Sequence, residues 1–383
     1  MRINLLAMLA LTALLASGLA PTPASGQAAR ESLASVQPSQ LVSLLHVIQP
    51  LAVDGKDEPP VITSLELAPD GHTMALGGDD HRVRLWDLAR NRLLAALDTH
   101  TDWVRVARFS PDGQSLVTAG NDRRAIVWPA QRIVTAATHA FTSGAKGEID
   151  WSEEAVELTR HSGAIIDVAF SPDGRFLAIC GFENELQIYD FKRRQVVRTL
   201  SGPCCDLRRI AFSPDGRYLA AAGRCGMLRM WEVEQDLVAD GAKNPPPARD
   251  FRVSNRRVRA LLFSADNRYV FTAGEDRQVC GFEAATGKKW FEIPAQPAKV
   301  FTLAQLDGTT LAAAGSDNRI RIIDIAAGKE IDRLTGHTGS VAALSLAGGT
   351  LVSGGYDTTV RVWDIARILQ PDTRAQREAT TIR

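Results

Sequence analysis

The sequence predicts an all-β fold in which seven similar sheet units close into a ring. Three observations carry that expectation. An aromatic or large apolar residue recurs at one place in the repeat, as Trp86, Trp128, Tyr189, Trp231, Phe282, Ile323 and Trp363, with gaps of 42, 61, 42, 51, 41 and 40 residues. A turn recurs ahead of it: APDG at 68–71, SPDG at 110–113, 171–174 and 213–216, and SADN at 264–267, with shorter forms around Asp307-Gly308 and Gly348-Gly349. Pro sets φ at about −65° and Asp-Gly closes a tight turn, so these are hairpin connections. Between turns, segments such as RVRLW and RVARFS alternate at the period of a strand with one buried face. A lone sheet cannot bury both faces, so the units must pack on one another. Seven of them over roughly residues 41–369 make a seven-bladed β-propeller.

The last repeat, 335–364, reads TGHTGSVAALSLAGGTLVSGGYDTTVRVWD, with a Gly-His pair about thirty residues before a Trp-Asp pair. This resembles the WD40 repeat. The resemblance implies that His337, Ser353, Asp357 and Trp363 form a hydrogen-bonded chain across one four-stranded blade. A half-buried imidazole needs partners for both ring nitrogens, and a buried indole N–H must find an acceptor. Blade two repeats the set as His100, Thr118, Asp122 and Trp128. The other blades keep only parts of it. The resemblance also implies that an N-terminal strand completes the last blade, which otherwise ends after its third strand at Asp364.

Taken in order, residues 1–26 differ from everything that follows. Met1-Arg2 leads an apolar run from Ile3 to about Ala20, then Pro21, Pro23 and Ala24-Ser25-Gly26. A basic start, an apolar middle and small residues near a cut read as a secretory signal. The chain is therefore expected to be periplasmic or secreted, with cleavage after Gly26 or, alternatively, after Ala20. An uncleaved anchor is the competing reading, since the run is near the lower limit for a span. No later segment is apolar enough to cross. Residues 27–40 are polar and aperiodic, a linker, and 42–49 are the candidate closing strand.

Blade one keeps Asp80 and Trp86 but has Glu58 and Leu76 at the His and hydroxyl positions. Blade three keeps His161, with Ile179, Glu183 and Tyr189 at the other three. Blade four has Pro203 and Cys225 at the His and Asp positions; blade five keeps Thr272 and Asp276, and blade six Asp317. Insertions at 129–154 and 234–249 lengthen the third-to-fourth-strand connections of blades two and four, and the tail, 370–383, is expected to be disordered. Long loops on a rigid scaffold often carry function, although drift in surface loops is equally consistent.

Five cysteines make no CxxC, so zinc, thioredoxin-like and c-type haem readings lack support. Export would permit disulfides. By the repeat alignment that the resemblance implies, Cys225 and Cys204 flank the lost His–Asp link. A bridge from Cys225 to Cys204 or Cys205 is expected to replace it, with Cys180 available to the other vicinal Cys and Cys280 left over.

Lys+Arg and Asp+Glu are 44 each, so no global field favours nucleic acid or an acidic membrane. No HExxH, P-loop or dinucleotide fingerprint is present, no active site or metal site is evident, and no cofactor is implied. What remains is recognition. The rim carrying the His and Asp loops displays Arg208, Arg209, Arg224, Arg256, Arg257 and Arg259 on blades four and five. Trp103 and Arg105 lie on blade two, with Phe182 and Tyr356 before their turn acids. Arginine forks pair with carboxylates and phosphates, and aromatic anchors carry interface energy. The resemblance implies a non-catalytic platform for other proteins; the arginines suggest an acidic peptide or loop. Neighbouring acids, such as Asp206, Glu275 and Asp276, would instead neutralise them. The alternatives are a small-ligand sensor or enzyme using the central channel, and an assembly role for the two insertions.

Overall fold

Each Asp-Gly turn does what its residues dictate, and the architecture follows from their repetition. Gly71, Gly113, Gly174 and Gly216 take φ of 70°, 71°, 70° and 73°, and Asn267 takes the same region at 63°. In the second of these turns Ser110 Oγ accepts the Ser115 N–H and Asp112 Oδ1 accepts the Gln114 N–H, both at 3.0 Å. The structure, a computed structural model, describes residues 42–50, 59–143, 149–204, 206–233 and 249–366. The expected signal segment, linker, tail, residues 234–248 of the second insertion, Glu58 and Cys205 lie outside them.

Seven four-stranded antiparallel sheets are present. Blade one is formed by Ile62–Leu67, Thr73–Gly78, Val83–Asp87 and Arg92–Leu97, in that spatial order. The inner strands of blades two to seven are Val104–Phe109, Ile165–Phe170, Leu207–Phe212, Val258–Phe263, Val300–Gln305 and Val341–Ala347. Blade seven borrows its outer strand. Ser43–Ile48 pairs antiparallel with Val360–Asp364, so the N-terminal strand closes the ring and covers an otherwise open edge.

The core lies between blades. Seven buried clusters each join two neighbours, for example Leu85 and Leu97 of blade one with Leu116 and Trp128 of blade two. The set closes where Val352 and Val360 of blade seven meet Ile62 and Met74 of blade one. Inner strands are also stitched by polar side chains: Ser345 Oγ accepts the Leu67 N–H at 3.0 Å and Ser64 Oγ the Ala107 N–H at 2.9 Å.

The first insertion holds an element the strand pattern did not announce. Ala130–Thr142 is a helix, α1, which begins directly after Pro129. Proline suits a helix start because its missing N–H has no helical partner there. Ala130 and Ile133 are buried in the core between blades one and two. Near its other end, Phe141 lies 3.7 Å below the Arg92 guanidinium, whose three nitrogens are buried without a hydrogen-bond acceptor. The aromatic face is one partner of that cation, and Asp87, its cross-strand neighbour, feels its charge. No helix among the described residues is long and apolar enough to cross a membrane.

Candidate functional site

The loops on one rim are tied down blade by blade, and the ties decide where the exposed side chains stand. In blade two the Trp128 indole N–H donates to Thr118 Oγ1 (2.9 Å), Thr118 meets His100 Nε2 (2.8 Å), and His100 Nδ1 meets Asp122 (2.7 Å). Blade seven repeats this through Trp363, Ser353, His337 and Asp357 at 2.9, 2.7 and 2.9 Å. Burial holds the His337 pKa below the usual histidine value, against the pull of Asp357. The remaining blades are tied in other ways. Arg84, buried, grips Asp80 in blade one, and Arg321 grips Asp317 in blade six. Glu183 takes the Ser162 hydroxyl and the Gly163 N–H in blade three. Asp276 takes the Ser254 hydroxyl in blade five. His161, in the blade that has Ile179 at the hydroxyl position of the repeat, keeps Nε2 buried and without a hydrogen-bond partner among the described residues.

Blade four uses sulfur. Cys204 and Cys225 stand at disulfide-bonding distance with Cα atoms 6.3 Å apart, within the span a disulfide requires. The expectation for Cys180 is corrected. It is a free thiol, because its strand turns it into the apolar core between blades three and four, among Leu186 and Leu207. Burial there pushes its pKa well up. Cys280 is likewise free and buried.

Every inner strand carries the same irregularity. The pairing register with the second strand slips by one residue near its start in all seven blades. The extra residues are Thr63, Arg105, Ile166, Arg208, Arg259, Phe301 and Ala342. A bulge of this kind re-aims a side chain. Glycine permits it: a Cβ on Gly120 would lie 2.0 Å from the Trp103 carbonyl oxygen, and one on Gly223 2.2 Å from that of Asp206.

Three of the seven re-aimed residues are arginines, and each stacks on an aromatic ring. Arg105 lies over Trp103 at 4.7 Å, Arg208 over Phe182 at 4.5 Å and Arg259 over Phe301 at 5.5 Å. Trp103, Phe182 and Tyr356 remain substantially exposed, at 39%, 44% and 49%. Asp206 and Glu275 organise blades four and five. Arg208 Nε lies 2.5 Å from Asp206, close but not aligned as a hydrogen bond. Arg257 reaches Asp206 at 3.2 Å and Glu275 at 3.3 Å, and Arg259 reaches Glu275 at 2.6 Å. Three arginines thus share two carboxylates, leaving one positive charge in excess. Among the described residues Arg105 donates to the neutral Asn121 Oδ1, at 2.9 Å, and Arg209 donates to the Arg208 carbonyl at 2.9 Å. Burial lowers the pKa of Arg105, Arg208 and Arg209. Arg224 and Arg256 are exposed and form no ion pair among the described residues. Asp276, serving Ser254, leaves the arginines alone.

Below the mouth lies a chain of charges that sequence reasoning missed. Arg108 stands 3.8 Å from Glu66 of blade one and 3.5 Å from Asp167 of blade three. Burial raises the Glu66 pKa from 4.5 to about 7, more than Arg108 lowers it. Both acids brace the next blade: Glu66 accepts the Phe109 N–H and Asp167 the Ile210 N–H, each at 3.1 Å. Their carboxylates are occupied in holding inner strands together. No group of three or more His, Cys, Asp or Glu among the described residues could hold a metal.

A sequence profile described as WD domain, G-beta repeat, matches residues 49–87, 91–129, 152–190, 194–232, 247–282 and 328–364, more than half of the chain. The chain belongs to the WD40 family. Blade six, with Asp317 as its remaining tetrad residue, falls in the one long gap between matches, yet it folds as a full four-stranded WD40 blade. Curated relatives include the transcription factor unc-37 of Caenorhabditis elegans, 28% identical over 147 residues, covering 37% of this chain and 24% of the relative. Human protein HIRA is 26% identical over 161 residues, covering 38% and 16%. Mitochondrial division protein 1 of Mycosarcoma maydis is 35% identical over 65 residues, covering 17% and 8%. The chain thus spans a quarter or less of the length of these relatives.

Proposed function

We propose that this chain is a non-catalytic scaffold or adaptor that holds an acidic segment of another protein on its arginine-bearing rim. The observation that supports the reading most directly is the set of bulges. They re-aim Arg105, Arg208 and Arg259, each stacked on a ring, with three arginines, Arg208, Arg257 and Arg259, sharing the carboxylates of Asp206 and Glu275. Preorganised arginines lose little freedom on binding, and exposed rings beside them supply apolar anchors. WD40 membership supports a binding rather than a catalytic role, and the signal-like start of the sequence supports export to the periplasm or beyond.

The test is affinity capture from the exported fraction with the wild-type chain and with Arg208→Glu, Arg209→Glu and Arg257→Glu combined. Recovery of the partner should fall at least about tenfold, the equivalent of one charge-assisted contact. Undiminished recovery removes the arginine rim from the reading. A small-ligand role for the channel is the alternative reading. Glu66, Arg108 and Asp167 are where it would act, and retention of partner binding after Arg108→Met with loss of a small-molecule response would favour it.

A further inference from the structure

Asp206 is the one non-glycine residue among those described that holds a left-handed backbone outside a hairpin turn, with φ 63°. His81, Arg123, Arg277, Asn318 and Thr358 adopt that region between the second and third strands of their blades, and Asn91, Arg194 and Asn267 in other hairpins. Asp206 lies instead in the connection from blade three to blade four, next to the inner strand. Side chains rarely adopt this conformation unless their surroundings impose it. Here the backbone is clamped on both sides: its N–H donates to the Phe182 carbonyl and its carbonyl accepts the Arg224 N–H, both at 3.1 Å. The Asp206 carboxylate then holds Arg208 and Arg257.

Cys204 and Cys225 bracket this clamp. Cys204 precedes Asp206 by two residues, Cys225 follows Arg224, and the pair encloses Asp206, Arg208, Arg209 and Arg224 within a loop of sequence separation 21. In blades two, five and seven the matching junction is closed by hydrogen bonds, which thiol reagents leave untouched. The sulfur pair sits at the blade whose connection carries both the unfavourable backbone and the rim arginines.

We propose that Cys204 and Cys225 form a redox-controlled latch on the arginine rim. Bridged, they hold Asp206 in its left-handed conformation and so fix Arg208 and Arg257; as two thiols they release Asp206 and the arginines it orients. The exchange is balanced with a small-molecule disulfide: two protein thiols and one glutathione disulfide give the protein disulfide and two glutathione molecules. The ligand-binding half of the proposal rests on the rim reading above.

The experiment compares the full chain equilibrated with glutathione disulfide and with excess glutathione. It measures backbone deuterium exchange and the affinity for fluorescein-labelled octaglutamate. Reduction should speed exchange about tenfold in 203–212 and 223–230, leave blades two and seven unchanged, and weaken octaglutamate about tenfold. Cys225→Ala should give the reduced values in both buffers. Identical exchange in both forms overturns the latch, whatever the peptide does. Faster exchange with equal octaglutamate affinity overturns its control of the rim. Faster exchange with no octaglutamate bound by either form supports the latch and overturns the acidic-segment reading of the rim.

Discussion

Glu66 is the residue whose charge state the fold disturbs most legibly. Its carboxyl is pushed from 4.5 to about 7 by burial, so the folded chain holds a proton that the unfolded chain has released. Below pH 4.5 both states are protonated and the site costs nothing. As pH rises through the window from 4.5 to about 7, stability falls, and above it the full penalty remains. With the side chain 24% exposed, the penalty is at most about 1–3 kcal/mol. Glu66→Gln keeps an oxygen for the Phe109 N–H and removes the charge. Denaturant midpoints measured against pH should show the variant more stable than wild type at pH 8 and equal to it at pH 4. The tetrads show what single residues reveal in advance. Thr118 and Ser353 could be assigned because both His and Trp recur around them. Arg84 and Arg321 could not be assigned from the His-to-Trp frame. The available signal, Asp followed four residues later by Arg, also occurs as Asp357 and Arg361 in blade seven, which keeps His337.

At the scale of the element, strand order and turn chemistry were readable because the period is two and Asp-Gly closes a hairpin. The bulge was not. Nothing in VRVARF marks Arg105 as the extra residue; the slip comes from the close approach of the preceding loop to the glycine ending the neighbouring strand. Gly120→Ala places a Cβ where the Trp103 carbonyl oxygen is 2.0 Å away, so the loop must move. The expected cost is about 2–4 kcal/mol in urea unfolding, with a matching loss of the Arg105–Trp103 stack visible as a change in tryptophan fluorescence. Helix α1 was also hidden. Residues 129–154 were expected as a lengthened loop between the third and fourth strands, and the docking of Ile133 between two blades depends on a core formed by residues distant in sequence.

For the whole molecule, stability is shared among seven inter-blade cores, and the ring holds because the last one is closed. The strand Ser43–Ile48 completes blade seven. A chain lacking residues 1–50 should therefore melt at least about 5 °C below one lacking residues 1–40. It should also self-associate in size-exclusion chromatography, because the edge of Val360–Asp364 is then unpaired. An unchanged midpoint and a monomeric elution would show that closure does not depend on this strand.

The amino-acid order determined the count of blades and their turns, which rest on local periodicity. The WD40 resemblance carried by its motifs supplied the borrowed closing strand and the two complete hydrogen-bonded tetrads. Tertiary structure alone decided which arginines are paired, which residue each bulge turns toward the mouth, that Cys225 meets Cys204 while Cys180 stays in the core, and how Glu66, Arg108 and Asp167 form a line through three blades. Those outcomes depend on distances between residues well apart in sequence, such as Cys204 and Cys225 with a separation of 21 within one blade, or Glu66, Arg108 and Asp167 on neighbouring sheets.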